Sequence, residues 1–284
     1  MIPFWTSIAL LSAFQGALVA VPGRLARAPL ASLRGRRWAL IPPLSVLAFV
    51  FITRAAEHAS AQGLTYLALV AVPLLAAAAL GWLAHGARPR WALAVPALFA
   101  LAWADRAHLP GEAAALVLSG LSCVSLGVLL AAVTPPRWLS AGIIAMALAD
   151  TALVVSDLLQ RPNNALNAAH PAAGLPRLQS AVFGSAVMGY GDLFVAATLG
   201  ALLAVQTWRS VQLRAALLTA ALALAFDLLF YAVDELPATV PVALALVFVL
   251  LMRRRGAPRW GGTPMVRPGA ARRPAQALER PLAR

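Results

Sequence analysis

Long runs of apolar residues, separated by short polar breaks, organise this sequence. By their length and spacing these runs predict nine helices, near residues 2–21, 38–53, 64–84, 91–104, 113–133, 139–159, 180–205, 214–232 and 237–252. Runs of this kind cross about 30 Å of hydrocarbon as helices, because lipid offers the backbone no hydrogen-bond partners. The pattern therefore predicts an all-α integral membrane protein with one polytopic transmembrane domain over residues 1–252.

Composition agrees with this reading and removes two classes of protein. Of 284 residues, 61% are hydrophobic and only 12% are charged, which excludes a soluble globule. The net charge of +13 does not indicate a nucleic-acid partner, since the basic residues lie at the edges of apolar runs and in the tail. The tail, residues 253–284, is rich in Arg, Pro, Gly and Ala; it is expected to be disordered and able to contact membrane lipids.

The arginines divide unevenly between alternate loops. Only four of the 23 basic residues fall in one set of loops, and they are Arg54, Arg106, Arg161 and Arg177. Because cytoplasmic loops carry the excess of Lys and Arg, this set is predicted to lie outside. The N-terminus should then be outside and the C-terminus cytosolic, in the plasma membrane of a bacterium or archaeon.

Four acidic residues lie within the predicted helices: Asp150, Asp157, Asp192 and Asp227. Each costs about 2.5 to 3.5 kcal/mol at the centre of a span, and no Arg or Lys lies inside these helices to pair with them. Carboxyl groups retained at this cost usually serve an ion or proton pathway, or catalysis in a wet cavity.

Asp150 and Asp192 are predicted at matching depth. They lie about eleven and twelve residues into helices six and seven, roughly 17 to 18 Å from the respective ends at 1.5 Å per residue. Consecutive antiparallel helices pack about 8 to 10 Å apart, so the two carboxyl groups could share a proton or a water. One would then act as a general base on water and the other as an acid on a carbonyl, which is the chemistry of an aspartyl protease.

Glycines and prolines surround this pair. The segment Gly189-Tyr190-Gly191-Asp192 would place two glycines in mid-helix, where they weaken the helix and permit close backbone approach. The segment Pro237-Ala238-Thr239 opens the ninth helix and keeps its start irregular. Both features suit a substrate whose backbone must unwind before its peptide bond can react.

These pieces resemble the presenilin and signal peptide peptidase family of intramembrane aspartyl proteases: an Asp in helix six, a GxGD motif in helix seven and a PAL-like segment opening helix nine. The resemblance implies a presenilin-like bundle in which Asp150 and Asp192 are catalytic. It implies support from the neighbouring motif residues Gly189, Tyr190, Gly191, Pro237, Ala238 and Thr239. The sequence departs from the family at Ala149, where a Tyr is usual, and at Thr239, where the motif has Leu.

The same resemblance implies hydrolysis of transmembrane proteins or signal peptides without a cofactor. No metal is expected, because the four His residues form no ligand spacing. The N-outside orientation is similar to the signal peptide peptidase branch. The oligomeric state is left open by the sequence.

Three alternatives fit parts of the pattern. Residues 188–202, MGYGDLFVAATLGAL, resemble type IV prepilin peptidases, although Phe194 replaces the expected Lys and the paired cysteines are absent. The motif also resembles a potassium-channel filter, but it lies midway in a long apolar run rather than after a short pore helix. A proton-coupled transporter could use the intramembrane Asp residues as relay groups.

Overall fold

The computed structural model describes residues 3–25, 32–233 and 235–254. Within them the chain forms ten α-helices and one two-stranded hairpin. The helices are α1 (Phe4–Ala20), α2 (Ile41–Ala55), α3 (Glu57–Ala78), α4 (Ala94–Ala104), α5 (Leu109–Val133), α6 (Pro136–Val155), α7 (Gln160–Ala168), α8 (Tyr190–Gln206), α9 (Arg209–Asp227) and α10 (Val240–Arg254). The strands are β1 (Ser180–Phe183) and β2 (Ala186–Gly189).

Five helical segments among the described residues are long and apolar enough to cross a membrane: Arg36–Ala55, Ala59–Leu83, Leu109–Val133, Pro136–Val155 and Arg209–Tyr231. Four shorter apolar helices accompany them: Phe4–Ala20, Pro89–Ala104, Tyr190–Gln206 and Val240–Arg253. Each of the nine predicted segments overlaps one of these, in the same order. The chain is therefore a helical membrane protein, and the predicted disordered tail lies almost wholly outside the described residues.

Helices α5 and α8 form the centre of the bundle. They pack directly on each other, and a Cβ at Gly127 of α5 would lie 2.9 Å from the backbone of Ala197 in α8. Every residue of α8 from Leu193 to Ala204 is buried. In contrast α2, α3 and α9 turn large apolar side chains such as Phe51, Leu74 and Leu217 outward, as helices facing lipid do.

We call the end of the bundle at which α1 begins the upper end, and the opposite end the lower end. At the lower end α1 is fixed to α8 and α9 by backbone contacts. A Cβ at Gly200 would overlap the carbonyl oxygen of Val19. Small residues at helix crossings allow this close approach, which is the main packing device between helices in lipid.

Residues 180–189 form a hairpin, so the prediction of one helix over 180–205 is wrong for its first ten residues. The strands pair Ser180 with Gly189 and Phe183 with Ala186. The backbone turns at Gly184, whose φ is 62°, and a Glu112 carboxylate oxygen of α5 accepts a hydrogen bond from its amide at 2.7 Å. An apolar run does not by itself distinguish a buried strand from a helix, whereas the central Gly-Ser pair favours a tight turn.

The polar segment between the predicted helices 139–159 and 180–205 also contains structure. It forms the short polar helix α7, which packs against α2 and α3. The chain thus returns from α6 to α8 through a helix and a hairpin at the upper end.

Candidate functional site

Three segments converge inside the upper half of the bundle. They are the last turns of α6 with Asp150, the first turn of α8 with Asp192, and residues 237–239 preceding α10. Helix α6 contacts both α8 and α10, and α8 contacts α10. Asp192 lies at the beginning of α8, and residues 237–239 come just before α10 begins. Non-helical backbone therefore lies beside the carboxyl groups.

Asp192 is the third residue of α8. Its carboxylate oxygen Oδ2 accepts a hydrogen bond from the amide of Gly189 at 3.1 Å, which is the backward half of a capping box. The prediction that the two motif glycines lie in mid-helix is therefore wrong. Gly189 precedes the helix, and a Cβ there would lie 3.0 Å from that same oxygen.

Asp150 is buried in the last third of α6, with 7% of its surface exposed. Its Oδ2 atom accepts a 2.6 Å hydrogen bond from the hydroxyl of Thr239, which is itself fully buried. A hydroxyl that donates to a carboxylate favours the ionised form of that carboxylate. The position at which the sequence departs from PAL therefore contacts the first Asp directly, through an interaction that a Leu could not make.

Helices α6 and α8, which carry Asp150 and Asp192, pack directly on each other. The Met146 side chain of α6, one turn before Asp150, lies 3.6 Å from the position that a Cβ would take at Gly191, the residue before Asp192. Two like charges in a dry environment resist simultaneous ionisation, so the pair is suited to holding one proton between two carboxyls.

Gln15 of α1 is a member of the site that the sequence analysis missed. Its side chain is fully buried; Nε2 donates to the carbonyl oxygen of Ala238 at 2.8 Å and lies 3.5 Å from that of Asp192, at the limit of a hydrogen bond. Its Oε1 atom has no hydrogen-bond partner. A buried Gln inside an apolar run was the available signal, because such a group is costly unless it is paired.

Gln15 also locates the site along the bundle. It follows Phe4 by eleven residues, so it lies about 16 Å from the start of α1 at 1.5 Å per residue. The aspartate pair is level with it, although Asp192 stands near the beginning of its own helix. The hairpin fills the space above α8, and this is why α8 begins inside the bundle.

The remaining motif residues surround the pair. The Tyr190 hydroxyl lies 2.6 Å from the hydroxyl of Ser122, which ties the start of α8 to α5. The Pro237 carbonyl accepts from the amide of Val240 and so forms the turn that leads into α10. Ala238 is half-buried and supplies the carbonyl that Gln15 holds.

The other two intramembrane candidates lie elsewhere. Asp227 accepts a 2.7 Å hydrogen bond from the hydroxyl of Ser12 in α1, an arrangement that satisfies it structurally. Asp157 falls just after α6, is exposed, and adopts a left-handed backbone with φ 53°. Among the described residues, neither shares a hydrogen-bond partner with Asp150 or Asp192.

Glu235 approaches the pair from above, in the segment between α9 and α10. Burial raises the pKa of its carboxyl; a hydrogen bond from Asn163 opposes this rise, and the charges of Asp157 and Asp150 add to it. With its amide nitrogen facing the carboxylate, Gln160 lies 2.8 and 2.9 Å from the two oxygens. The charges of both the exposed Asp157 and the buried Asp150 thus act on Glu235.

Across residues 3–25, 32–233 and 235–254, the structure contains no group of three His, Cys, Asp or Glu side chains able to hold a metal ion. Comparison of the chain with models of protein families, with curated proteins and with solved structures gave no match. The argument for function therefore depends on the geometry of the site.

Proposed function

We propose that this chain is an intramembrane aspartyl endopeptidase, which hydrolyses peptide bonds of transmembrane segments with water activated by Asp150 and Asp192. The observation that carries the proposal is the convergence of α6, the start of α8 and residues 237–239, the segments that carry the two Asp residues, with Thr239 donating to Asp150. The plasma membrane of a bacterium or archaeon is its proposed location.

The hydrogen bonds support a division of roles within the pair. Asp150, which accepts from the Thr239 hydroxyl, is suited to stay ionised and to take a proton from the attacking water. Asp192 then carries the shared proton and donates it to the carbonyl oxygen of the scissile bond. When the tetrahedral intermediate collapses and its C–N bond breaks, Asp150 gives its proton to the leaving nitrogen and Asp192 takes one back from a hydroxyl of the intermediate.

Access for a peptide backbone is supported by the irregular segments around the pair. A helical substrate hides its carbonyls within its own hydrogen bonds, so it must unwind locally before a carboxyl can reach it. The hairpin 180–189 and the segment 237–239 are already non-helical at this depth. Non-helical backbone within a membrane protein is tolerated where it is buried in protein or lines a cavity, and both kinds of place are ones that a peptide backbone can approach without crossing a helix.

The decisive experiment measures cleavage of a model transmembrane peptide in detergent by the wild type, Asp150→Asn and Asp192→Asn. We expect each substitution to abolish cleavage, and a transition-state-like aspartyl inhibitor to block the wild type. Asp227→Asn is the matched control, because Asp227 is also a carboxyl within the predicted spans but accepts its hydrogen bond from Ser12, away from the pair. Equal cleavage by all four proteins, or none by the wild type, would end the proposal.

A proton-coupled transporter is the second candidate. It is favoured by the row of carboxyls from the exposed Asp157 through Glu235 to Asp150, which could relay protons from the upper surface. Proton flux into liposomes separates the two functions. A transporter moves protons without hydrolysis and loses flux in Glu235→Gln, whereas the protease cleaves peptide without net flux.

A further inference from the structure

The four arginines predicted to lie outside the membrane differ in what their side chains contact. The guanidinium of Arg106 lies beside Gly174, and Arg177 donates to the carbonyl oxygen of Asn167 at 2.7 Å. Arg54 and Arg161 instead line one pocket of about 60 Å³ at the upper end, between the last turn of α2 and the first turn of α7. Thr53 and Pro162 complete its lining.

Two like charges therefore line a common space. With the side chains that the structure describes, neither Arg54 nor Arg161 forms an ion pair or a hydrogen bond; the one ion pair there joins His108 and Asp105. The Glu235 carboxylate lies nearby, against Gln160, but does not line the pocket. An anion between two guanidiniums gains from both charges. Arg is also the residue best shaped to bind an oxyanion through paired N–H donors.

Thr53 adds an independent indication. Its side chain is 1% exposed, and its hydroxyl has no hydrogen-bond partner. A helical Thr usually donates to the carbonyl four residues before it, and other threonines of this bundle do so: Thr65, Thr151 and Thr219. The buried hydroxyls of Thr134 and Thr198 also lack a partner, but of the three only Thr53 lines this pocket, where a ligand would satisfy its costly unpaired donor.

The beginning of helix α7 also favours a negatively charged ligand. Arg161 and Pro162 belong to the first turn of α7, a helix of nine residues. The first amides of a helix have no partner within it, and its dipole is positive at this end. A pocket that combines a helix start, two guanidiniums and a buried hydroxyl has the donor set of a phosphate site.

We propose that this pocket binds a phosphoryl oxyanion, held by Arg54 and Arg161 with Thr53 as the buried donor. The volume exceeds the roughly 15 Å³ that a single water requires, so a group of several heavy atoms fits. Two chemical forms carry this group, the phosphodiester of a lipid headgroup and free inorganic phosphate. Neither the proposal nor its test depends on peptide cleavage.

The first measurement is calorimetric titration of inorganic phosphate into protein purified in a phosphate-free maltoside detergent. We expect saturable binding by the wild type, weakened about tenfold or more in Arg54→Gln/Arg161→Gln, since charge-assisted hydrogen bonds are lost. Thr53→Val, which keeps the side-chain volume, should weaken it by a smaller factor. Arg106→Gln is the matched control, because it removes one predicted outer arginine away from the pocket, and it should leave the affinity unchanged.

The second measurement identifies the source of the phosphate. Protein in nanodiscs of phosphatidylglycerol or of phosphatidylcholine is released into the gas phase, and the retained lipids are counted by native mass spectrometry. Retention of one lipid by the wild type, lost in the double variant and in excess inorganic phosphate, assigns the pocket to a headgroup; titration without retention assigns it to free phosphate. The absence of both, or equal losses in Arg106→Gln and the double variant, would overturn the proposal.

Discussion

Gln15 and Gln212 are buried glutamines that both connect α1 to other helices, but they lie at different levels of the bundle. At the lower end Gln212 donates to the carbonyl oxygens of Val19, Pro22 and Gly200 at 3.0 to 3.1 Å, and its own oxygen accepts from Arg209 at 2.9 Å. Beside the aspartate pair, Gln15 has one good hydrogen bond and an oxygen without a partner.

This difference in hydrogen bonding distinguishes a structural region around Gln212 from a candidate reaction site around Gln15. A saturated polar network fixes one arrangement of the helices and has no capacity left for a ligand. A buried amide with a free acceptor keeps an unmet interaction next to the carboxyls, which is costly for stability and useful only if something else meets it. The upper half of the bundle therefore carries the features expected of a reaction site, and the lower end holds it in position.

Replacement of Gln212 should have the largest effect on stability. Gln212→Leu leaves three carbonyls and a guanidinium short of a partner in a dry environment, and we expect a loss of about 3 kcal/mol or more in the free energy of unfolding. Denaturant titration in mixed micelles measures it. A loss below that of Gln15→Leu would remove the contrast between the two glutamines.

Thr239→Val should have the largest effect on cleavage after the Asp substitutions. It removes the hydroxyl that donates to Asp150 while it keeps the side-chain volume, so we expect cleavage to fall about tenfold to a hundredfold. Thr239→Ser, which keeps the hydroxyl, is the control and should retain most of the rate. If the Val variant kept full activity, Asp150 would not depend on Thr239.

Gly200→Ala tests the close packing that anchors the lower end. Its Cβ would overlap the carbonyl of Val19, so the helices must separate, at an expected cost of about 1 to 3 kcal/mol. Gly63→Ala in α3 is the matched control, because no atom lies within 4 Å of its Cβ position. The control should be neutral or slightly stabilising, and an equal loss in both variants would contradict the packing argument.

Gln15→Leu should reverse the pattern of Gln212→Leu. We expect the free energy of unfolding to fall by only about 1 kcal/mol, because the substitution removes one neutral hydrogen bond and also removes the costly unpaired oxygen. Cleavage should nevertheless fall about tenfold, since Ala238 and the neighbouring Thr239 lose their support. The measured quantities are kcat and KM at several pH values: a change confined to stability would make Gln15 a scaffold residue as well.

Glu235→Gln should have the smallest effect, and one that depends on pH. Because burial raises the pKa of Glu235, the folded state binds its proton more tightly than the unfolded state does. Its contribution to stability is therefore complete below the ordinary Glu pKa and is lost as pH rises through the raised value. In Glu235→Gln the free energy of unfolding should fall less steeply as pH rises. If the two proteins show the same dependence of stability on pH, the pKa of Glu235 is not raised in the folded state.

Hydrophobic patterning by itself determined the class of protein and the order of its apolar helices, because lipid forces every long apolar run to satisfy its own backbone. The same pattern selected Asp150 and Asp192 as candidates together with Asp157 and Asp227, since an ionisable group in such a run stands out against its cost, and only their matching depth favoured the first two. Thr239 was noticed as a departure from a motif, but its contact with Asp150 joins residues that are distant in the sequence.

Tertiary structure alone decided how the chain reaches the site. Residues 180–189 are apolar enough for a span, yet they pair as a hairpin because Glu112 and Ser7 hold the turn from α5 and α1. The role of Gln15 likewise depends on the carbonyl of Ala238, over two hundred residues away. Local sequence fixes which segments avoid water, whereas long-range hydrogen bonds decide where an irregular backbone can be buried.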